Sequence, residues 1–203
     1  MSTPRAYPVG TGWIEVVCGC MFSGKTEELI RRLNRARYAT QRVVVFKPSV
    51  DVRYAAEDIV SHSDARLPCF PVTDASDILR RVGDAQVVGI DEAQFFGMEL
   101  VEVANRLADE GRRVIVAGLD QDYRGVPFEP IPQLLAVAEY VTKAMAVCMV
   151  CGAPANRSQR LVHRERRVLL GSSDTYEARC RLHWQPDAFD SEQQRLPLAD
   201  ESG

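Results

Sequence analysis

Residues 19–26 (GCMFSGKT) constrain the fold of this chain more than any other segment. They fit the pattern G-x-x-x-x-G-K-[ST]. They also lie between an apolar run at 13–18 and a stretch at 25–38 with apolar residues at helical spacing. A strand, a glycine loop and a helix in this order form a phosphate-binding loop, whose backbone N–H groups face phosphate oxygens at the positive end of the helix. The pattern predicts an α/β nucleotide-binding fold.

Lysine usage supports a ligand in this loop. The chain has 22 arginines and three lysines, yet a lysine stands at position 25. Lys25 is predicted to reach the β- and γ-phosphates of ATP, and the Thr26 hydroxyl to ligate Mg²⁺. The alternative is a glycine-rich turn without a ligand. The predicted ATP contacts in the loop are Gly19, Cys20, Met21, Phe22, Ser23, Gly24, Lys25 and Thr26.

An acidic pair, Asp91 and Glu92, follows the apolar run 87–90. Beside a phosphate loop, the first acid at a strand end can hold Mg²⁺, and the second can deprotonate an attacking hydroxyl. Glu92 is therefore the predicted general base. The ATP–Mg²⁺ contacts are predicted to include Ala93 and Gln94 as well. The alternative is an acid pair at the start of a helix.

Apolar runs alternate with helical patterns along the first 147 residues. This alternation predicts a parallel sheet covered on both faces, with ligands beyond the carboxyl ends of its strands. Asp74 is predicted to cap the second helix and Gly111 to end the third. Strands are predicted at 13–18, 42–46, 86–91, 113–118 and 140–147, and helices at 25–38, 74–82 and 98–110.

Four metal-ligand side chains form the pattern C-x₂-C … C-x₂-H, with 28 residues between the two pairs. Three thiolates and one imidazole suit tetrahedral Zn²⁺, and four protein ligands leave no open position for catalysis. The pattern predicts a structural zinc site, against the alternative of unrelated cysteines. His62 and His163 fit no such pattern and are predicted to have surface or polar-network roles. The predicted ligands are Cys148, Cys151, Cys180 and His183.

The net charge of −3 and a sequence pI near 5.7 disfavour a dedicated nucleic-acid binder. Apolar runs fall short of the roughly 20 residues of a membrane span, and no signal-peptide pattern opens the chain, which predicts a cytoplasmic protein without a membrane partner. A local cluster of arginines favours the solvated surface of a hairpin, with a phosphate- or nucleic-acid-contacting patch as the alternative. It comprises Arg157, Arg160, Arg164, Arg166 and Arg167.

Taken together, the motifs resemble the type II (cellular) thymidine kinases from about residue 12 to residue 184. The segments that carry the resemblance are 20–26 (CMFSGKT), 91–96 (DEAQFF), 116–120 (VAGLD), 148–151 (CMVC) and 171–176 (GSSDTY). The resemblance implies a RecA-like α/β domain at 13–147 and a small zinc-stabilised lid with a lasso loop at 148–185. A short extension at 1–12 and a disordered tail at 186–203 would flank them.

The same resemblance implies transfer of the ATP γ-phosphate to the 5′-hydroxyl of thymidine, and of deoxyuridine, in pyrimidine salvage. It further implies a homotetramer and inhibition by thymidine triphosphate. By position, Glu92 matches the general base and Arg53 an arginine near the transferred phosphate. Tyr123, Ala93 and His183 depart from residues common in relatives, and Tyr123 leaves nucleoside preference open. Positions matching the thymidine pocket, which could also be core, are Met21, Phe95, Leu119, Tyr123, Phe128 and Tyr176.

Three other functions remain open from the sequence. The segment 91–94 (DEAQ) resembles a helicase motif, so a nucleic-acid-dependent ATPase is one alternative, although such motors usually need two RecA-like domains. A second is a zinc-stabilised module that binds nucleotide without turnover. The third is a kinase for another deoxynucleoside or for a nucleoside monophosphate.

Overall fold

The computed structural model describes residues 10–50, 58–60, 66–162 and 175–186. Its centre is a six-stranded sheet in the order β5-β2-β6-β7-β1-β8, and every pairing within it is parallel. This arrangement confirms the predicted α/β fold class. The strands are β1 (Trp13–Gly19), β2 (Val43–Pro48), β5 (Phe70–Val72), β6 (Val87–Ile90), β7 (Arg113–Leu119) and β8 (Tyr140–Ala144).

Helices cover both faces of this sheet because alternate residues of each strand point to opposite sides. Val16 of β1 belongs to the apolar cluster beneath the second, third and fourth helices, whereas the neighbouring Val17 packs with Leu29 and Leu33 of the first helix. The helices are α1 (Lys25–Tyr38), α2 (Ser76–Arg81), α3 (Glu99–Asp109) and α4 (Ile131–Val137), and a 3₁₀ turn spans Ala93–Phe95.

Helix α1 has the predicted bounds, and its buried residues are the predicted apolar set: Leu29, Ile30, Leu33 and Ala36. Helix α2 begins two residues later than predicted, at Ser76. The Asp74 carboxylate nevertheless accepts a hydrogen bond from the backbone N–H of Asp77 at 3.0 Å, so it satisfies one free donor of the first turn.

The predicted strand over residues 140–147 is wrong as a single element. It divides at Met145 into β8 of the large sheet and β9 (Ala146–Val147), which pairs with β10 (Pro154–Ala155). The sequence has no glycine or proline within 140–147 to mark this change of sheet. The sequence also gave no indication of β5 or α4, which are short and contain Pro71 and Pro132.

A small lobe, defined here as residues 146–162 and 175–185, lies beside the phosphate loop. It contains the β9–β10 pair and a second antiparallel pair, β11 (Arg157–Arg160) with β12 (Tyr176–Arg179). A further short hairpin pairs β3 (Asp58–Val60) with β4 (Arg66–Pro68). Among the described residues, no helix is both long and apolar enough to cross a bilayer.

Candidate active site and metal cluster

The phosphate loop and the acidic pair meet at the carboxyl edge of the sheet. Strand β1 leads into the loop, β6 ends one residue before Asp91, and β7 lies between them. Parallel strands end at the same edge, so segments distant in sequence converge there. The phosphate loop and the acidic pair therefore lie together at this edge, where the Thr26 hydroxyl contacts Asp91.

Side chains of the phosphate loop donate hydrogen bonds to a backbone carbonyl of the same loop. The Lys25 ammonium donates to the Cys20 carbonyl at 2.7 Å, and the Ser23 hydroxyl donates to the same oxygen at 2.8 Å. Phe22 and Gly24 adopt left-handed φ values of 64° and 79°, which turn the chain sharply before α1. Burial lowers the pKa of Lys25, although the charges of Glu92 and Asp91 oppose that shift.

Thr26 and Asp91 face each other across the loop. The Thr26 hydroxyl donates to Asp91 Oδ2 at 3.2 Å, and Oδ1 lies at 3.4 Å. Burial, together with the adjacent charge of Glu92, raises the pKa of Asp91 to about 7. A hydroxyl and a carboxylate in this arrangement are the oxygen ligands that Mg²⁺ prefers. A divalent cation bound there would offset the repulsion between the two acids.

Glu92 is held in an unusual backbone conformation, with φ 50° and ψ 42°. Its N–H donates to Asp91 Oδ1 at 2.9 Å, and its Oε2 accepts a hydrogen bond from Gln94 Nε2. The buried Gln94 also accepts a hydrogen bond at Oε1 from the backbone N–H of Leu119 at 2.9 Å. Gln94 therefore ties the orientation of the Glu92 carboxylate to the end of β7.

The predicted thymidine-pocket residues lie on the segments around this edge. Phe95 is in the 3₁₀ turn, and the Phe128 N–H donates to the Asp120 carbonyl at 3.0 Å. The Met21 N–H donates to Ser158 Oγ of β11 at 3.1 Å, which joins the phosphate loop to the small lobe. The pocket assignments themselves remain predictions. Arg53, His62 and His163 lie outside the described residues, as do residues 171–174.

Tyr123 and Tyr176 are joined by Arg160. The Arg160 guanidinium lies 3.7 Å from the centre of the Tyr123 ring, and its Nη2 donates to the Tyr176 hydroxyl at 2.9 Å. The solvated surface that the arginine pattern favoured is therefore wrong for two members of the cluster, because Arg157 and Arg160 are 9% and 3% exposed. Their aromatic partners are distant in sequence. Arg164, Arg166 and Arg167 lie outside the described residues.

The predicted metal ligands do come together. One ligand atom from each of Cys148, Cys151, Cys180 and His183 lies within 4.8 Å of the others. The Cys151 and Cys180 sulfurs are 3.8 Å apart, and Cys180 Sγ lies 3.3 Å from His183 Nδ1. Tetrahedral Zn²⁺ with bonds of about 2.3 Å to sulfur would separate two thiolates by about 3.8 Å, so the donor set fits this ion.

The cysteines of this cluster differ in their pKa values. Burial acts to raise the pKa of Cys148, but backbone N–H groups of Cys180, Val150 and Cys151 outweigh it and lower the pKa to about 6. In contrast, burial and the charge of Asp120 raise the pKa of Cys18 to about 11. At Cys151 of the Cys/His cluster, the backbone N–H of Ala153 acts to lower the pKa, but burial and the neighbouring thiols of Cys148 and Cys180 raise it. Cys148 is therefore the cysteine of the cluster that most favours thiolate.

All three lysines of the chain lie near the same edge. Lys47 is the next-to-last residue of β2 and is 2% exposed. Lys143 of β8 forms an ion pair with Asp120, with 2.8 Å between Nζ and Oδ2, and this pair crosses β1 below the phosphate loop. Lys47 and Lys143 were not predicted as site residues. Their rarity in an arginine-rich chain was the one sequence signal that singled them out.

Ser158, Arg160 and Trp184 were also missed as site residues. Ser158 contacts the phosphate loop, Arg160 joins two predicted pocket tyrosines, and Trp184 donates from Nε1 to the Tyr123 carbonyl at 3.0 Å. No sequence motif marks them. Their alignment with the site depends on how β11 and the residues after the cluster pack against the large sheet.

The parallel sheet, the phosphate loop and the acidic strand end define a P-loop nucleotide-binding protein with an added Cys/His cluster. The family model described as thymidine kinase matches residues 12–184. A thymidine kinase from Rhodothermus sp. (strain ITI 518) is 63% identical over 175 residues, covering 86% of this chain and 82% of that protein. The chain belongs to the thymidine kinase family.

Further comparisons extend this picture. A thymidine kinase from Bdellovibrio bacteriovorus (strain ATCC 15356 / DSM 50701 / NCIMB 9529 / HD100) is 55% identical over 177 residues, covering 87% of each protein. Among solved structures, the chain is similar to domain III of the Thermotoga maritima replication initiation protein DnaA, with a TM-score of 0.40 and 16% identity. That match covers 64% of this chain and 54% of the other, and it is too weak to carry an argument.

Proposed function

We propose that this protein transfers the γ-phosphate of ATP to the 5′-hydroxyl of thymidine, producing thymidine monophosphate and ADP, and that deoxyuridine is a second acceptor. The observation that carries the proposal is the meeting of Lys25, Thr26, Asp91 and Glu92 at one edge of the sheet. Membership of the thymidine kinase family supports thymidine as the acceptor.

The phosphate loop and α1 would hold the triphosphate. Backbone N–H groups and the helix dipole favour the phosphate charge, and Lys25 would exchange its contact with the Cys20 carbonyl for the β- and γ-phosphates. Mg²⁺ would supply charge neutralisation between these phosphates, with Thr26 and Asp91 as the residues that hold it. Transfer then depends on in-line positioning and on stabilising charge on the transferred group.

Glu92 would act as the general base. Its carboxylate would take the proton of the 5′-hydroxyl as the new oxygen–phosphorus bond forms and the bond to the β-phosphate oxygen breaks. Gln94 would keep the carboxylate aimed at that hydroxyl, since it bonds Glu92 and the end of β7 at once. Arg53 is proposed to stabilise the transferred phosphate.

The nucleoside would lie between the phosphate edge and the small lobe. Its proposed side-chain contacts are those predicted from the sequence: Met21, Phe95, Leu119, Tyr123, Phe128 and Tyr176. The Cys/His cluster would hold structural Zn²⁺, because four protein ligands leave no position for substrate. Family membership further supports a homotetramer in the cytoplasm, inhibition by thymidine triphosphate, and no nucleic-acid partner.

Product formation from ATP and Mg²⁺ with a panel of acceptors tests this proposal. The panel contains thymidine, deoxyuridine, deoxycytidine, deoxyguanosine and single-stranded DNA. We expect monophosphate from thymidine, a smaller yield from deoxyuridine, and little from the others. Lys25→Met should abolish turnover with every acceptor. ATP hydrolysis stimulated by DNA, with no nucleoside phosphorylated, would contradict the proposal.

A further inference from the structure

Trp184 connects the metal cluster to the loop that follows β7. It comes directly after the ligand His183, and its backbone N–H donates to the carbonyl of the ligand Cys180 at 3.1 Å. Its indole Nε1 donates in the other direction, to the Tyr123 carbonyl at 3.0 Å. One residue therefore bonds the cluster through its backbone and the loop through its side chain.

The loop of residues 120–128 is a compact unit. The Asp122 carboxylate accepts backbone N–H groups of Arg124 and Val126 at 2.9 and 3.0 Å, and the Gly125 N–H donates to the Asp122 carbonyl at 3.0 Å. These bonds fix the shape of the loop from within. Its placement over the site then depends on the contacts it makes with the small lobe.

The Trp184 indole packs closely against this loop at Gly125. A Cβ at Gly125 would lie 2.8 Å from Trp184 Cη2, and Gly125 also has a left-handed φ of +74°. Both facts require glycine where the indole presses against the loop. The Arg157 guanidinium of β11 lies 4.9 Å from the centre of the indole, and its Nη1 donates a hydrogen bond to Gln121 Oε1. Strand β11 therefore contacts both the indole and the loop.

The segment after the cluster is also tied to β11. Gln159 Nε2 donates to the Gln185 carbonyl at 2.9 Å, and the Gln185 N–H donates to Gln159 Oε1 at 2.7 Å. This pair holds the residue that follows Trp184 against β11. In the same loop, the Tyr123 ring lies over the guanidinium of Arg160, which donates a hydrogen bond to the Tyr176 hydroxyl.

We propose that Trp184 is a positioning residue through which the metal cluster sets the affinity for the nucleoside. With the cluster ordered, the indole holds the 120–128 loop so that Tyr123 and Tyr176 keep their relative placement. With the cluster disordered, the loop loses this contact and nucleoside affinity falls, although no ligand of the cluster touches the nucleoside. The identity of the nucleoside rests on the proposed function, but the coupling between cluster and loop does not.

Tryptophan fluorescence tests the coupling without any substrate. The chain has two tryptophans, so Trp13→Phe leaves Trp184 as the sole indole. Removing the metal from this variant with a chelator should shift its emission to longer wavelength as the indole leaves Arg157 and Gly125, and adding Zn²⁺ should restore it. Unchanged emission after loss of the metal, measured by atomic absorption, would overturn the proposal.

Substitutions at Trp184 test the consequence for binding. Trp184→Phe keeps a ring against Gly125 but loses the donor to Tyr123, and we expect the thymidine KM to rise roughly two- to tenfold. Trp184→Ala should raise it more than about tenfold. The ATP KM, the kcat and the metal content should stay within about twofold for Trp184→Phe. The matched control is Trp13→Phe, which removes an indole donor to Glu15 on β1 and should leave the thymidine KM unchanged.

Combining the substitution with metal removal separates a coupling residue from a merely structural one. Chelation should weaken thymidine binding to the wild-type protein, measured by calorimetry, and should weaken it much less in Trp184→Phe, where part of the coupling is already lost. Equal fold losses in the two proteins would overturn the proposal. Failure of the wild-type protein to bind thymidine would instead contradict the proposed function, and the emission experiment would still decide the coupling.

Discussion

The sheet and the small lobe bury very different material. The two faces of the sheet bury large apolar side chains such as Ile78, Leu100 and Leu107 on one side and Leu29 and Leu33 on the other. The apolar cluster between the lobe and the phosphate loop consists of the small buried residues Cys20, Ala146, Cys148, Ala155 and Ala178, with the partly buried Phe22 and Cys180 packed against them. Because hydrophobic stabilisation grows with the apolar area buried, the lobe gains far less from its core than the sheet does.

The lobe makes up this difference with metal ligands and polar contacts. Three thiols and an imidazole converge, two arginines stack on aromatic rings, and Gln159 forms a double hydrogen bond with Gln185. The proposed phosphate chemistry lies on the sheet, whereas the proposed nucleoside contacts lie at its junction with the lobe. Substitutions should therefore separate catalysis, stability and nucleoside binding according to the region they change.

Among the substitutions that compare the two regions, the largest effect is expected at Glu92 on the sheet side. Glu92→Gln removes the proposed base but keeps its shape, so kcat should fall by roughly 10²-fold or more while ATP binding changes little. Steady-state kinetics and calorimetry measure the two quantities. Glu102→Gln, on the exposed face of α3, is the control and should match wild type. An unchanged kcat in Glu92→Gln would remove Glu92 from this role.

Glu15 tests the stability of the sheet. This buried side chain of β1 accepts from Arg32 and Arg113 at 2.8 and 2.6 Å, so Glu15→Gln should lower the free energy of unfolding at pH 7 by about 3 kcal/mol. Metal content should not change. Chemical denaturation of the wild-type protein and of Glu15→Gln measures the difference in free energy of unfolding.

The pH dependence of that difference follows from the pKa of Glu15. Burial acts to raise it, but hydrogen bonding and charge from Arg113, with Trp13 and Arg32, lower it below the ordinary 4.5. The contribution of Glu15 is therefore fully present above pH 4.5 and is lost as the pH falls through the lower pKa of the folded state. If the difference in free energy of unfolding between wild type and Glu15→Gln became larger as the pH fell, the ion pairs would not stabilise the carboxylate.

Cys151 tests the lobe. In contrast to Glu15→Gln, which should leave the metal content unchanged, a substitution of Cys151 should lower it. Cys151→Ser replaces a thiolate ligand, so metal content should fall and the thymidine KM should rise by roughly tenfold, with the ATP KM within about threefold. The matched variant is Cys69→Ser in the apolar core beside α1, which should lower stability and keep the metal. Retention of both metal and thymidine affinity in Cys151→Ser would refute the structural role of the cluster.

The smallest effect is expected at Ser158, on the junction of the two regions. Ser158→Ala leaves the Met21 N–H without its 3.1 Å acceptor, at a cost of about 1 kcal/mol, or roughly fivefold in the thymidine KM. Ser158→Thr keeps the hydroxyl and should behave as wild type. If Ser158→Ala lowered the unfolding temperature without changing the KM, the residue would serve stability alone.

Features that depend on local sequence were predictable. The bounds of α1 follow from spacing within one segment, and the convergence of Cys148, Cys151, Cys180 and His183 follows from two short motifs. The convergence of Thr26 and Asp91 could also be inferred, because parallel strands end at one edge. These predictions needed no knowledge of how remote side chains pack.

Features that depend on tertiary packing were not predictable. Arg157 and Arg160 are buried because Trp184, Tyr123 and Tyr176 meet them from elsewhere in the chain. The division of residues 140–147 between two sheets depends on the choice of partner strand, which the local sequence of this segment does not encode. Strand β5 has three residues and contains Pro71, which suits an edge strand but weakens the sequence pattern.

The placement of the lysines has a practical consequence for attaching the protein to a support. Reagents that acylate amines to immobilise or label a protein usually find many surface lysines, but this chain has three. Lys47 is shielded and Lys25 is partly enclosed by its loop, so Lys143, whose side chain is 46% exposed, is the most accessible. Coupling at Lys143 would thus break the Asp120 ion pair below the phosphate loop, whereas chemistry directed at exposed carboxylates such as Glu102 would spare it.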